Sequence, residues 1–335
     1  MTIMHNNSDT AETAKPAIGL GQQKKQGHLG SFLGVFTPTI LTILGVIMYL
    51  RFGWVVSQVG LGATLLIVVL AIAITLATSL SLSAVATNSR VGVGGAYYII
   101  SRSLGLEIGG ALGIPLFLSQ ALSVTLYAFG LAESLRIVWP DVPVVTTTLV
   151  IIVFVGLLAF RGASAALKTQ IPVLALIVLS LLALIVGVLN APPLTVSHAL
   201  PPQDTAPFWL VFAVFFPAVT GIMAGLSLSG DLKDPRVSIP RGTLIAALTG
   251  FAVYLLVPIV LVMGADRTTL QDDPLVWTHI AFLGPWLILP GLWGAIFSSA
   301  VGSMLGAPRT LQALSLDRLV PHRFGRGVAK GKEPV

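Results

Sequence analysis

Cysteine is absent from the 335 residues, which excludes disulfide bonds and thiolate metal sites. Charge is almost as scarce: Asp, Glu, Lys and Arg make up 10% of the chain, against about 25% in a soluble globular domain. Hydrophobic residues make up 55%, and the mean hydropathy is +0.92. That much apolar surface cannot be hidden in one soluble core, so the chain is integral to a membrane. Period-two alternation is also lacking, which argues against a β-barrel. The polar stretch 1–29 has no apolar h-region and reads as a soluble tail, not a signal peptide.

What is present is a series of long apolar runs. A hydrocarbon core of about 30 Å needs roughly 20 residues of helix. Eight segments qualify, at about 33–56, 61–86, 108–137, 143–160, 171–190, 207–229, 243–264 and 286–308. They define an all-α membrane domain over 30–324, followed by a basic segment at 325–335. Pro140 and Pro143, Pro192 and Pro193, and Pro201 and Pro202 punctuate the loops as helix breakers.

Within these spans, chemistry-bearing groups are rare. The acids Asp141, Asp204, Asp231, Asp234, Asp266, Asp272, Asp273 and Asp317 fall in loops, and Glu133 lies near the outer end of the third span. No span carries Lys, and His5, His28, His198, His279 and His322 are scattered without metal-ligand spacing. Nucleophilic hydrolysis at membrane depth has no support, and a proton relay would show intramembrane carboxylates. The chain therefore does not read as an enzyme or a proton pump, and it implies no cofactor or resident metal.

The basic residues report topology. With the N-terminus cytoplasmic, Lys15, Lys24, Lys25, Arg90, Arg102, Arg161, Lys168, Lys233, Arg236, Arg241, Arg309, Arg318, Arg323, Arg326, Lys330 and Lys332 lie inside. Only Arg51, Arg136 and Arg267 lie outside, sixteen against three, so the positive-inside rule places both ends in the cytoplasm. The net charge of +6 thus reflects orientation in the bilayer, not a nucleic-acid footprint.

Two spans carry a similar interruption. The first reads TPTILTILGVIM, with Pro38 and Gly45; the sixth reads FFPAVTGIM, with Pro217, Thr220 and Gly221. Interrupted spans at corresponding positions of two halves point to the binding site of a secondary transporter. Spans one and six correspond if the repeat is five helices long, giving one complete repeat and three helices of a second. A break frees carbonyl oxygens that suit an alkali cation. The half-helix beyond it offers N–H groups and a positive dipole to an anion. Pro and Gly are also common in membrane helices simply for kinking and close packing.

The eighth span, GLWGAIFSSAVGSMLGAPR, aligns Gly291, Ala295, Ser298, Gly302 and Gly306 on one face. Such a stripe favours close helix packing. Ser298 and Ser299 also offer oxygens to Na⁺ held against span one. Tyr127 fits an interfacial or core aromatic. Arg51 and Glu133 fit independent interfacial charges, or a pair across the outer mouth. The stretch GVGGAYY at 92–98 lacks the strand–turn–helix context of a nucleotide loop and reads as a cytoplasmic turn.

The segments LTILGVIMYLRFGWVVSQVG, LSLSAVATNSRVGVGGAYYIISRSLG, FFPAVTGIMAGLSLSGDLKDPRVSIPRGT and GAPRTLQALSLDRLVP together resemble the transport domain of cation–chloride cotransporters of sodium–potassium–chloride type, within the amino acid–polyamine–organocation superfamily. The resemblance covers about residues 30 to 324. It implies a LeuT-type inverted-repeat bundle, complete for helices 1–5 and partial for 6–8, and electroneutral uptake of Cl⁻ with Na⁺ and K⁺. It implies a Na⁺ site from Leu41, Leu44, Ala295, Ser298 and Ser299. It implies K⁺ at Thr42, Ile43, Tyr127, Pro217 and Thr220. Gly45, Val46 and Ile47 would cap one Cl⁻, Gly221, Ile222 and Met223 a second, and Arg51 and Glu133 would form the outer gate. Sodium–potassium–chloride members usually carry Asn where Thr42 stands and Trp where Leu44 stands, and this chain departs from them there. Both positions act chiefly through backbone carbonyls. Sodium-independent members lack the serine pair.

The expected protein is then a multi-pass symporter of the plasma membrane, its partners inorganic ions and lipid, a homodimer in full-length form, and here represented by its first eight helices. Two other readings stand beside it. One is an amino acid or polyamine permease of the same superfamily, in which the span-one half-helix receives a carboxylate. The other is a non-transporting membrane subunit or fragment.

Overall fold

The computed structural model describes residues 29–88, 91–92, 94–191 and 205–325. The tail through His28 (with His5, Lys15, Lys24 and Lys25), Arg90, Val93, the loop with Pro192, Pro193, His198, Pro201, Pro202 and Asp204, and the segment from Arg326 through Lys330 and Lys332 lie outside the described residues. Among the described residues the secondary structure is helical, apart from one isolated parallel bridge between Leu29 and Leu232.

The first apolar run is built in pieces. A π-helical turn at Phe32–Phe36 leads into α1 (Thr37–Ile43), and the helix resumes as α2 (Val46–Leu50). Between them Leu44 takes φ −79° and ψ 46°, and Gly45 takes φ −91° and ψ −159°, so the helical ladder lapses. α3 (Phe52–Asn88) follows and is itself interrupted at Gly60, with φ 75° and ψ 170°. The first run therefore reaches Gly60, not residue 56, because only glycine takes that backbone without a Cβ penalty.

After the turn at Gly94 and Gly95 comes the short α4 (Ala96–Leu104), then α5 (Leu106–Val138), α6 (Val144–Phe160), α7 (Ala163–Lys168) and α8 (Gln170–Asn190). The sixth run is also in pieces: α9 (Phe208–Phe215), a 3₁₀ turn at Phe216–Val219, non-helical residues 220–222, and α10 (Met223–Leu226). α11 (Pro235–Gly264), α12 (Arg267–Asp272), α13 (Val276–Ile280) and α14 (Gly284–Leu316) complete the chain.

Two helices overrun the bounds that hydropathy suggests. α11 starts at Pro235 rather than 243, because the Asp234 carboxylate accepts from Arg236 N at 3.2 Å and proline suits the first helical position. α14 runs past 308 to Leu316, since its polar continuation is anchored: Arg309 donates to Leu305 O at 2.6 Å and to the Asp231 carboxylate at 2.8 Å. Hydropathy marks where a helix leaves hydrocarbon, and the helix itself continues as long as capping and side-chain partners sustain it.

Among the described residues seven helical runs are long and apolar enough to cross a bilayer, and α6 is a shorter apolar helix of 17 residues. At 1.5 Å per residue α6 spans about 26 Å, near the lower limit for crossing. Burial separates centre from rim: 67% of the most apolar stretch of Phe32–Leu50 is buried, against 17% for α5. The first and sixth runs sit against each other at the centre, with α8, α11 and α14 around them.

Small residues make the central crossings close. A Cβ on Gly225 would lie 2.6 Å from Thr39 Oγ1 and 2.7 Å from the Val35 carbonyl. A Gly225→Ala substitution should destabilise the protein by about 1–3 kcal/mol, since backbone on the facing helix cannot yield. Gly130 on α5 has nothing within 4 Å of its Cβ position, so Gly130→Ala should be neutral or stabilising by up to about 1 kcal/mol. Thermal unfolding of the two variants in detergent checks the contrast.

Candidate functional site

The two helical interruptions meet. A Cβ on Gly221 would lie 2.9 Å from Ile43 N, 2.9 Å from Thr42 Cβ and 3.0 Å from Thr42 C. Only a residue without a side chain lets the backbone of 220–222 approach the end of α1 this closely. Thr42, Ile43, Thr220 and Gly221 are thereby brought to one place, although 178 positions separate Ile43 from Gly221.

Each interruption also restarts its helix in the same way. Met48 N donates to Gly45 O at 3.2 Å, and Ala224 N donates to Gly221 O at 3.1 Å. The amides of Val46 and Ile47, and those of Ile222 and Met223, therefore precede the first bond of the new ladder. Groups in that position lack an intrahelical partner and carry the positive end of the local dipoles.

The carbonyl side is more occupied. The Tyr254 hydroxyl, buried on α11, donates to Ile43 O at 2.5 Å. The Thr42 hydroxyl turns back to Pro38 O at 2.8 Å, and that of Thr220 to Pro217 O at 2.8 Å. Thr75 on α3 donates to Val219 O at 3.1 Å. Pro217 has no N–H, so it cannot return a bond to the preceding turn, and its own carbonyl serves Thr220. Pro217 and Thr220 are exposed, Thr42 is half-buried, and Tyr127 on α5 is half-buried where the two main apolar clusters adjoin.

On α14, Ala295, Ser298 and Ser299 are buried, as are Leu41 and Leu44, and α1 packs on α14. Ser299 Oγ donates to Ala295 O at 3.0 Å, whereas Ser298 Oγ has no partner among the described residues. Part of the small stripe does serve packing: a Cβ on Gly291 would meet Ser180 Oγ at 2.9 Å and Tyr49 Oη at 3.0 Å. Gly302 faces open space, with its nearest neighbour, Ala224 Cβ, at 4.0 Å.

Arg51 and Glu133 are both exposed and form no ion pair; those among the described residues are Arg102–Asp317, His279–Asp273 and Arg309–Asp231. The end of the bundle bearing Asp231 is held more tightly. Arg309, 5% exposed, lies 2.8 Å from the Asp231 carboxylate. Beside it Leu29 N donates to Asp231 O at 3.1 Å, and Lys233 N donates to Leu29 O at 2.9 Å. Ser229 Oγ donates to Gly92 O at 2.8 Å and accepts from Gly95 N at 3.3 Å, joining the GVGG turn to the end of the sixth run. Sequence reasoning missed Tyr254 and the Arg309–Asp231 pair. The pair had one signal: both residues lie in motifs, GDLKDPR and GAPR, that carry the family resemblance.

Replacing Tyr254 by Phe should cost about 1–3 kcal/mol of stability, because the buried Ile43 carbonyl loses its donor while the ring is kept. Thermal unfolding of the Tyr254→Phe variant reads this directly, and an unchanged midpoint would contradict it.

The amino acid permease family model matches residues 34–335. Solute carrier family 12 member 2 of Squalus acanthias is 31% identical over 98% of this chain and 33% of its own length. The bumetanide-sensitive sodium-(potassium)-chloride cotransporter of Manduca sexta is 32% identical over 94% of this chain and 35% of its own length. Human solute carrier family 12 member 8 is 33% identical over 91% of this chain and 45% of its own length. The chain thus spans between a third and under half of the length of these relatives.

Proposed function

Because the chain belongs to the amino acid permease family, in its cation–chloride cotransporter branch, we propose that it forms the ion-binding part of a secondary active symporter that couples Cl⁻ movement to Na⁺, K⁺ or both. The observation that carries this reading is the apposition of Gly221 with Thr42 and Ile43, which sets two interrupted helices side by side at the centre of the bundle. In a LeuT-type arrangement these are helices one and six of two inverted repeats, broken near the bilayer midplane. The protein resides in the plasma membrane with both described ends cytoplasmic, acts without cofactor or enzymatic chemistry, and is a homodimer in full-length form.

Each side of the interruptions has its ion. Carbonyl oxygens of Leu41 and Leu44, with Ala295, Ser298 and Ser299, receive Na⁺. Backbone at Thr42 and Ile43, with Tyr127, Pro217 and Thr220, receives K⁺, and the Tyr254 hydroxyl withdraws from Ile43 O or shares it when the cation binds. The amides of Gly45, Val46 and Ile47 receive one Cl⁻, and those of Gly221, Ile222 and Met223 receive another. Cations and anions on adjacent faces neutralise one another, which offsets the cost of moving charge through hydrocarbon.

Alternating access requires one end closed while the other is open. The Arg309–Asp231 pair and the Leu29–Leu232 bridge tie together one end of the bundle, whereas Arg51 and Glu133 are exposed and unpaired with each other. We take Arg51 and Glu133 as the gate that pairs when the first end opens. A second reading has the family model's own description behind it: the amides of α2 receive an amino acid carboxylate instead of Cl⁻. Binding of labelled amino acids that competes with Cl⁻ would favour it.

Ion-replacement flux in cells or vesicles tests the symporter reading. Chloride uptake should fall when Na⁺ and K⁺ are both replaced, and uptake that persists unchanged overturns the coupling. The double substitution Ser298→Ala, Ser299→Ala should raise the half-saturating Na⁺ concentration by about tenfold or more, equivalent to ~1.4 kcal/mol, while K⁺ dependence stays within about twofold. Equal loss of Na⁺ and K⁺ dependence would assign the serines to packing.

A further inference from the structure

Two buried oxygens at the contact between α8 and α14 have no hydrogen-bond partner among the described residues: Gln170 Oε1 and Ser298 Oγ. Both side chains are deeply buried, Gln170 at 1% exposure and Ser298 at 2%. The residues meet directly, since Gln170 Nε2 donates to the Ser298 carbonyl at 3.5 Å. That long bond orients the amide, because its oxygen cannot face another carbonyl oxygen. Oε1 is therefore the free end.

This alignment is part of a continuous antiparallel contact. A Cβ on Gly294 would lie 3.1 Å from Val173 Cγ1, and one on Gly291 would lie 2.9 Å from Ser180 Cβ. Farther along, Phe282 N donates to Ala183 O at 2.9 Å. Backbones this close hold Gln170 opposite Ser298 as a fixed register. α1 packs against both α8 and α14, so the three helices form one junction.

Buried oxygens left unpaired cost stability wherever water cannot reach them. Neutral oxygens from amides, hydroxyls and carbonyls are the ligands that replace the hydration shell of an alkali cation. The other serine of the pair is engaged, since Ser299 donates to Ala295 O at 3.0 Å. Ser298 keeps its oxygen free, and Gln170 supplies a second one from a different helix.

We infer that Gln170 is a further ligand of the cation site at Ser298, its amide oxygen joining the Ser298 hydroxyl, and that it sets the preference of this site for Na⁺. The inference rests on the symporter reading above and deepens it. It assigns a role to α8, a helix outside the ion sets read from the sequence. The competing view gives Gln170 only the task of fastening α8 to α14 through Nε2.

The test is Na⁺-dependent thermal stabilisation of the purified chain in lipid nanodiscs, titrated with NaCl against choline chloride and KCl. A cation bound only by the folded state raises the unfolding temperature in proportion to the logarithm of its concentration over Kd. The wild-type chain should respond to Na⁺ at lower concentration than to K⁺. Gln170→Leu keeps the side chain's size and removes both polar atoms. It should move the Na⁺ response to about tenfold higher concentration or more, with the Cl⁻ response within about twofold.

Gln170→Glu keeps one oxygen and adds charge. It should move the Na⁺ response to lower concentration at neutral pH, and the gain should fade as acid protonates the carboxylate. If Gln170→Leu does not fold, Gln170→Met, which also lacks the amide oxygen, takes its place: it should move the Na⁺ response to about tenfold higher concentration, and an unchanged titration overturns the inference. Variants that unfold earlier in choline yet keep the wild-type Na⁺ titration would reduce Gln170 to that tie. Such a result, with Ser298→Ala, Ser299→Ala abolishing the Na⁺ response, overturns this inference and leaves the symporter reading intact. A wild-type chain indifferent to Na⁺ overturns the Na⁺ site and this inference together.

Discussion

Gly221 lies against the backbone of Thr42 and Ile43 at a separation that no side chain would permit. The centre of the molecule is organised around that contact. Two helices that lapse in isolation would each leave backbone groups without partners, a costly condition away from water. Set against each other, they share one polar locus. The hydroxyls of Thr42, Thr75, Thr220 and Tyr254 take up carbonyls there, while the amides at the start of α2 and α10 remain ahead of their ladders. Polarity is confined to a small volume, and the surrounding bundle stays apolar.

The rest of the fold supports that locus. α8 and α14 lie antiparallel with small residues at their crossings, which holds the buried serines and Gln170 in register beside α1. α11 reaches across to supply Tyr254. α5, the least buried of the seven long apolar runs among the described residues, presents leucines and isoleucines outward, as a lipid-facing helix does. At one end Arg309 and Asp231 tie α14 to the end of the sixth run, and Leu29 adds a backbone bridge to the same corner.

Some of this was legible before any coordinates. The all-helical membrane character follows from long uncharged runs, because a bilayer accepts only segments that satisfy their own backbone. Gly45, Pro217 and Gly221 stand out in such runs because they are poor at sustaining a helix. The helix ends at Pro235 and Leu316 were not legible from hydropathy, since capping by Asp234 and anchoring of Arg309 carry those helices beyond the apolar segment. Arg51 and Glu133 were recognisable as charges at helix ends, but whether they touch depends on how far α2 and α5 stand apart.

By itself the amino-acid sequence determined the medium this protein lives in, the helical form of its spans and the residues at which a helix would be weakest. These are properties of segments a few turns long, set by local composition. Tertiary structure alone decided that Gly221 meets Ile43, that Tyr254 caps the Ile43 carbonyl and that Gln170 faces Ser298. The partners in each of those contacts are more than a hundred residues apart. Which of many apolar helices pack together depends on the fit of small residues against backbone, and that fit exists only once the bundle has closed.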